Sequence, residues 1–464
     1  MTSSDPLYYM GLSDVARMLR KRQVSCVEVH DATFRRIDEV EPQLEAFITL
    51  LREESLGEAV EADRTLARGE STGPLHGIPV SLKDLYDTAG IRTTAASQVM
   101  ADRVPSADAT VTSRLKSAGA IIIGKANQTE FAFGGTDSAF GALKNPWSLE
   151  HSPGSSSSGS GASVAAGMGY ASMGTDTGGS VRIPAAMCGV VGLKPTYGRV
   201  SRHGIVPLSW TLDHAGPLTR TVTDAALVLQ AIAGYDPRDP TSSRRPVPSY
   251  LRALPRDLSG VTLGVPSAFF YEDLDPDVAA RLEEAHGVLR KLGARLKKVN
   301  IPHAAYSMAA LVTIIESEAA SVHWSTLIER PDDYQPVFRA RAMRGLLTPA
   351  VSYLDAQRLR GLLIDDFEAA LSGVDALVTP TCPTPPFRMD QTPTASAMVS
   401  TIGRFTNLAN MTGLPALSVP CGFNRDQLPI GMQLIGRSFD ERTLIRIGNA
   451  YQSATDWRLR RPPL

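Results

Sequence analysis

Short, mostly apolar runs recur along this chain and are separated by longer segments of mixed polarity. The clearest runs cover residues 78–82, 120–123 and 375–380. Strands buried on both faces have this composition, because neither face meets water and no polar alternation is needed. Buried strands that alternate with helices build an α/β sheet with helices on both faces. The runs therefore predict an α/β fold.

Helices are predicted between these runs. Ser25 and Glu28 have the spacing of a capping box and open a helical pattern that continues to about residue 40. A helix of small residues is predicted over 162–171, directly after a serine-rich stretch. Its first turn would present free backbone N–H groups to the preceding loop.

The composition excludes several classes of protein. The 464 residues are 43% hydrophobic and carry a formal net charge of −1, so no basic excess indicates a nucleic-acid partner. No apolar run reaches the length of about 18 residues that a membrane span needs, and we see no signal-peptide pattern. The four cysteines lie far apart among apolar or small residues, which favours reduced, buried thiols and a cytoplasmic location.

The eight histidines are scattered along the chain. None belongs to an H-E-x-x-H motif, and none pairs with a cysteine at the spacing of metal ligands. Structural or surface roles account for them best. We therefore expect no metal site and no metal-dependent hydrolase.

Two Gly/Ser-rich stretches carry the strongest chemical signal. They read P-G-S-S-S-S-G-S-G over 153–161 and G-T-D-T-G-G-S over 174–180, and Lys83 ends an apolar run upstream of both. A serine becomes a nucleophile only when a base removes its proton. Lysine can be that base if burial lowers its pKa toward neutrality. A flexible linker over 155–158 is the alternative, although a small-residue helix and a second glycine-rich turn follow it directly.

Several separated segments resemble the amidase signature family. G-T-D-T-G-G-S-V-R-I-P over 174–184 and C-G-V-V-G-L-K-P-T over 188–196 are very similar to its signature. The Lys83 segment, N-P-W over 145–147 and G-L-P-A over 413–416 also resemble it. The resemblance spans nearly the whole chain. It implies a large mixed β-sheet core covered by helices on both faces, the amidase signature fold.

The resemblance also implies how the chain is organised. We expect residues 1–464 to form a single amidase domain. Its parts would be a helical N-terminal segment over about 10–70, a signature core over about 75–235, and a remainder over 236–464 that completes the same sheet.

A Ser–cis-Ser–Lys triad follows from the resemblance. It assigns Ser180 as the nucleophile, Ser156 as the bridging serine with a cis peptide bond, and Lys83 as the base. Family members usually have G-G-S-S-G-G where this chain has serines at 155 and 158. That departure leaves Ser155 and Ser157 open as alternatives to Ser156.

The remaining expected site residues surround this triad. Backbone N–H groups of the glycine-rich turn would hold the oxyanion, Ser157 and an ion pair would support the turn from behind, and one segment matches the family's substrate pocket. These residues are Thr177, Gly178 and Gly179 for the oxyanion; Ser157, Asp176 and Arg182 for support; and Phe133, Gly134 and Gly135 for the pocket. Phenylalanines are more often core than pocket residues, so that alternative stays open.

The expected activity is hydrolysis of a carboxylic amide in a small molecule, with esters and carbamates as alternatives on the same machinery. No cofactor, no direct nucleic-acid partner and no membrane partner is expected, and a homodimer is left open. One alternative is the glutaminase subunit of a tRNA-dependent amidotransferase, which would pass ammonia to a partner subunit. Another is a non-catalytic interaction protein with an amidase-like fold.

Overall fold

The computed structural model describes residues 6–71, 73–133, 137–252, 254–391 and 401–464. The strands in these ranges are β1 (Phe47–Leu50), β2 (Pro79–Lys83), β3 (Ile121–Ala126), β4 (Asp137–Ser138), β5 (Gly141–Ala142), β6 (Ala171–Asp176), β7 (Val191–Lys194), β8 (His214–Thr219), β9 (Thr262–Pro266), β10 (Arg295–Val299), β11 (Ala376–Pro380), β12 (Ala416–Phe423) and β13 (Pro429–Gly436).

The helices of the same ranges alternate with these strands. They are α1 (Leu12–Arg20), α2 (Cys26–Leu44), α3 (Arg52–Ala67), α4 (Thr110–Ser117), α5 (Ser158–Ala165), α6 (Arg182–Cys188), α7 (Val222–Ile232), α8 (Pro276–Lys291), α9 (Ser307–Glu329), α10 (Pro336–Leu346), α11 (Ala350–Leu371), α12 (Asn407–Met411) and α13 (Glu441–Ser453).

Within the described ranges, 11 strands form one sheet in the order β1-β3-β2-β6-β8-β7-β12-β13-β11-β9-β10. Strand β2 pairs in parallel with both β3 and β6, whereas β6, β8, β7, β12 and β13 pair antiparallel with their neighbours along the sheet. The sheet is therefore mixed. The predicted α/β class and the large mixed sheet are both confirmed.

Apolar side chains alternate between two cores, one on each face of the sheet. In β11, Ala376 and Val378 belong to the core that α1, α7, α8 and α13 cover, whereas Leu377 belongs to the core under α9, α10 and α11. Every residue of β2, β3, β6 and β11 is buried. Covering both faces explains why these strands lack polar alternation.

Local signals in the sequence place some helix ends well and others poorly. The Ser25 hydroxyl accepts the Glu28 N–H, and the Glu28 carboxylate accepts the Ser25 N–H, so the predicted capping box forms. The helix predicted over 162–171 is wrong at both ends, because α5 covers Ser158–Ala165. Gly167 and Gly169 have φ angles of +80° and +139°, which end the helix before β6 begins.

The chain's cysteines are all buried and unpaired, as predicted. None of the helices in the described ranges has both the length and the apolar character that crossing a bilayer requires.

Candidate active site

Lys83 is the last residue of β2, and its side chain is completely buried. Strands β2, β3 and β6 are parallel, so their carboxyl ends and the loops that follow lie on one edge of the sheet. The Lys83 Nζ atom is hydrogen-bonded to Ser156 Oγ at 2.7 Å, to Thr175 Oγ1 at 2.8 Å and to Ser157 Oγ at 3.0 Å. Three hydroxyls therefore surround the amine.

Burial changes the charge state of this amine. It lowers the pKa of Lys83 from its ordinary 10.5 to about 7, although the carboxylates of Asp176 and Asp213 act in the opposite direction. No carboxylate is among the three groups that hydrogen-bond Nζ. A substantial fraction of the side chain is therefore neutral near pH 7, and a neutral amine can accept a proton.

The serine-rich loop supplies two of the hydroxyls. Ser156 and Ser157 are both buried, and the peptide bond between Ser155 and Ser156 is cis. Ser157 is the N-cap residue of α5 and also anchors the strand beside it, because its Oγ donates to the Thr175 carbonyl and accepts the Thr175 N–H. Ser158 bonds the Gly154 carbonyl instead. Ser156 and Ser157 thus contact the lysine, and Ser155 does not.

Ser180 lies in the turn between β6 and α6 and is partly exposed. Its carbonyl accepts the Ser157 N–H at 3.3 Å, which ties the two Gly/Ser-rich stretches together. The Gly179 N–H, which we expected at the oxyanion, donates to Asp176 Oδ1 at 2.8 Å and is already engaged. Among the described residues, the N–H groups of Gly178 and Ser180 donate to no other group.

Asp176 and Arg182 form the expected ion pair behind the turn. Arg182 Nη2 lies 2.8 Å from Asp176 Oδ1, and neither side chain is exposed. Burial alone would raise the pKa of Asp176, but the Arg182 guanidinium holds it well below its usual range. Because Asp176 also accepts the Gly179 and Val181 N–H groups, its negative charge fixes the backbone on both sides of Ser180.

The expected pocket segment is only partly described. Phe133 is 3% exposed, lies edge-on to Phe338, and has the Arg341 guanidinium 3.5 Å from its ring centroid. This packing favours the core alternative for Phe133. Gly134 and Gly135 lie outside the described residues.

A cavity of about 220 Å³ adjoins the catalytic loops. Its wall includes Thr175 and Thr177, several apolar residues, and the charged side chains of Arg202 and Asp213. Thr177 Oγ1 donates to Asp213 Oδ1 at 2.7 Å, so the glycine-rich turn is joined to this wall. The described part of the chain contains no group of three or more His, Cys, Asp or Glu side chains arranged to hold a metal ion.

Sequence reasoning missed four residues of this neighbourhood. Thr175 and Asp213 contact Lys83 and Thr177 respectively, and Thr406 and Asn410 contact the turn from α12 and the residue before it. Thr175 could have been found as a hydroxyl in a buried strand next to Asp176. Thr406 and Asn410 had no local signal, because 228 and 234 residues separate them from their partners.

Comparison with known proteins agrees with this arrangement. The sequence profile of the family described as Amidase matches residues 28–445. One glutamyl-tRNA(Gln) amidotransferase subunit, from Carboxydothermus hydrogenoformans, is 42% identical over 99% of this chain and 100% of the relative.

Solved structures are equally similar in fold. One, described as a vestigial protein complex that reveals the origins of an s-triazine catabolic enzyme, has a TM-score of 0.90 at 32% identity, over 96% of this chain and 98% of that one. The peptide amidase PAM, in complex with chymostatin, has a TM-score of 0.87 at 33% identity, over 98% and 99%. The chain therefore belongs to the amidase signature family and is a hydrolase of carbon–nitrogen bonds other than peptide bonds.

Proposed function

We propose that the chain cleaves a small-molecule amide through a covalent acyl intermediate on Ser180, with Lys83 as the base and Ser156 as the proton relay. The observation that carries this proposal is the buried, hydroxyl-bound Lys83, whose Nζ lies 2.7 Å from Ser156 Oγ. A lysine placed there for stability alone would be a poor choice, because burial without a carboxylate partner is costly. Its lowered pKa suits proton transfer near neutral pH.

In the proposed first step, neutral Lys83 accepts the Ser156 hydroxyl proton while Ser156 accepts the proton of Ser180. The Ser180 oxygen then attacks the carbonyl carbon, and the carbonyl oxygen becomes an oxyanion. The N–H groups of Gly178 and Ser180 are the available donors, with Thr177 beside them, since Gly179 is engaged by Asp176. Preorganised donors of this kind are each worth about 10²–10³ in rate.

In the second step the tetrahedral intermediate collapses. The carbon–nitrogen bond breaks, and Ser156 delivers a proton to the departing nitrogen while Lys83 returns its proton to Ser156. An amine or ammonia leaves, and Ser180 remains as an ester of the acyl group. Water, activated by the same relay, then hydrolyses this ester to the carboxylic acid and restores the Ser180 hydroxyl.

Glutamine is the substrate that the relatives favour. The relative from Carboxydothermus hydrogenoformans, and others of 41–43% identity, are named as subunits of glutamyl-tRNA(Gln) amidotransferase. On this proposal the released ammonia passes to a partner subunit rather than to solvent. The cavity beside Thr175 and Thr177 supports a small polar substrate, because its wall contains charges of both signs, Arg202 and Asp213.

An amidohydrolase that works without partners is the second candidate. The similarity to the peptide amidase PAM supports it, because that name describes an amide hydrolase and the match covers nearly all of both chains. Esters and carbamates would be cleaved by the same acyl transfer. A non-catalytic role is disfavoured by the complete set of Lys83, Ser156 and Ser180.

The first experiment tests the chemistry. Purified wild type and Ser180→Ala are incubated with glutamine, an aryl anilide, a carbamate and an aryl ester, and with a fluorophosphonate that labels activated serines. We expect labelling and turnover of at least one substrate by wild type, and neither by Ser180→Ala. Labelling that survives in Ser180→Ala would contradict Ser180 as the nucleophile.

The second experiment separates the two substrates. Glutamine hydrolysis is measured for the chain alone and after co-purification with the other subunits of a bacterial glutamyl-tRNA(Gln) amidotransferase. A glutaminase subunit predicts a rate that rises at least about tenfold with the partners, as expected when binding completes a catalytic site. Turnover of anilides alone, unchanged by the partners, would favour the amidohydrolase that works by itself.

We also infer that residues 1–464 act as one domain, since a single sheet takes strands from both halves of the chain. A cytoplasmic location is proposed on the basis of the four unpaired, buried cysteines.

A further inference from the structure

The peptide unit between Gly178 and Gly179 is held at both of its polar ends. The Thr406 hydroxyl donates to the Gly178 carbonyl oxygen at 2.7 Å, and the Gly179 N–H donates to Asp176 Oδ1 at 2.8 Å. This peptide immediately precedes Ser180. Its orientation therefore decides which backbone groups of the turn face the reacting atoms.

Nothing in the turn itself would hold this orientation. Both residues are glycines, and Gly179 has a φ of +135°, so the peptide has little intrinsic preference for one direction. If the peptide rotated, the Gly178 carbonyl dipole could point toward the place where the oxyanion forms and would repel it. Thr406 also packs directly on Gly179, where a side chain would collide with its hydroxyl and Cβ.

Thr406 is in turn held by the buried ion pair. Arg182 Nη1 donates to the Thr406 carbonyl at 2.8 Å, and Arg182 Nη2 donates to Asn410 Oδ1 at 2.7 Å. Asn410 Nδ2 donates to both the carbonyl and a carboxylate oxygen of Asp176 at 2.9 Å. Thr406 is fully buried, so its hydroxyl cannot bond to bulk water instead.

We infer that Thr406 is a positioning residue for the oxyanion-binding turn, acting through the Gly178 carbonyl. The inference rests on the proposed function of Ser180. The Thr406 hydroxyl keeps the Gly178 carbonyl turned away from the site, which leaves the N–H groups of Gly178 and Ser180 as oxyanion donors. The C-terminal part of the chain thus sets the geometry of a turn 228 residues upstream.

The test compares Thr406→Val, which has nearly the same shape without the hydroxyl, with Thr406→Ser, which keeps the hydroxyl. Thr412→Val is the matched control, because the Thr412 hydroxyl donates to the Leu408 carbonyl at the end of α12 and does not contact the turn. Ser180→Ala is run in parallel. The probe is a fluorophosphonate, whose phosphoryl oxygen occupies the position of an oxyanion once Ser180 is modified.

We expect Thr406→Val to slow fluorophosphonate labelling about 10- to 100-fold, because a displaced donor forfeits much of what it contributes. With any amide that wild type cleaves, kcat should fall by the same factor while KM stays within about threefold. Thr406→Ser and Thr412→Val should label at rates within about threefold of wild type. The pH at which half of the maximal rate is reached should not move, because Lys83 is untouched.

Wild-type labelling by Thr406→Val would overturn the inference, and so would an equal loss in Thr406→Ser. A shifted pH midpoint in Thr406→Val would also overturn it, because it would indicate a general loosening around Lys83. If Thr406→Val does not fold, Thr406→Ala against Thr406→Ser isolates the same hydroxyl, and equal rates in that pair would contradict the inference. Labelling of Ser180→Ala would instead contradict the proposed function itself.

Discussion

The Lys83 Nζ atom lies 2.7 Å from Ser156 Oγ, although 73 residues separate the two in the chain. The contact exists because β2 ends at the same edge of the sheet as the loop that precedes α5. Ser157 and Thr175 complete the shell, so every polar neighbour bonded to the amine is a hydroxyl. A buried amine with hydroxyl partners is suited to proton transfer, and the first predictions concern it.

Ser156 and Ser155 should respond very differently to the same substitution. Ser156→Ala should lower kcat about 10³-fold, because the relay between Lys83 and Ser180 is lost. Ser155→Ala should stay within about threefold of wild type, since Ser156, not Ser155, bonds the amine. The measurement is kcat for any amide that wild type cleaves, with fluorophosphonate labelling as a second readout. A larger effect at Ser155 than at Ser156 would contradict the assignment.

The rate should rise with pH as Lys83 loses its proton. Since burial lowers the pKa of Lys83 to about 7, kcat/KM should increase about tenfold per pH unit below that value and level off above about pH 8. Asp213 raises the pKa of Lys83, so Asp213→Asn should move the rising limb to lower pH and also lower the plateau, because Thr177 loses its carboxylate partner. A wild-type rate that is flat from about pH 6 to 9 would argue against a lysine base.

Lys83 should also reduce the stability of the fold. Its pKa is about 7 in the folded chain and 10.5 as its ordinary value, so between these pH values the unfolded chain binds a proton that the folded chain does not. Stability contributed at this site therefore rises with pH across that window. Lys83→Met should raise the unfolding free energy on the order of 2 kcal/mol at pH 7, since each pKa unit is worth about 1.4 kcal/mol and the hydroxyls lose a partner.

The gain in Lys83→Met should shrink as the pH approaches 10, because the wild-type penalty disappears there. Lys116→Met on α4 is the control, since Lys116 pairs with Asp108 at 2.9 Å on the surface and its side chain is 38% exposed. Urea titrations at pH 7 and pH 10 provide the measurement. An Lys83→Met chain that is less stable than wild type at pH 7 would contradict the lowered pKa.

Two ion pairs of similar length should contribute unequally. Arg182 and Asp176 are 2.8 Å apart with no exposed surface, whereas Arg358 and Asp355 are 2.7 Å apart with side chains that are 79% and 70% exposed. Arg182→Met should cost about 3–5 kcal/mol of unfolding free energy, because it leaves a buried carboxylate uncompensated. Arg358→Met should cost less than about 1 kcal/mol.

The same Arg182→Met chain should lose its activity at temperatures where it is still folded, because Asp176 no longer holds Gly179 and Val181 in place. Circular dichroism and a turnover assay on the same samples separate the two effects. Equal losses of stability in Arg182→Met and Arg358→Met would contradict the burial argument.

Short-range patterns predicted much of this molecule. Uninterrupted apolar runs indicated strands buried on both faces, and the Ser25–Glu28 spacing indicated a helix start, because both depend on neighbours within one element. The helix over 162–171 was misplaced for a related reason. Small residues are compatible with a helix and with the turn that ends it, and the two glycines with positive φ decided between them.

The chemistry of Lys83 divides along the same line. Residue types and their order were enough to single out a lysine and two serine-rich stretches, because a nucleophile and its base must be present in the chain whatever its shape. Their charge state depends on solvent exclusion by the two cores. The engagement of Gly179 by Asp176, and the contact of Thr406 with Gly178, depend on α12 folding back across more than 200 residues. Such contacts carry no local pattern, since they arise only when remote segments pack together.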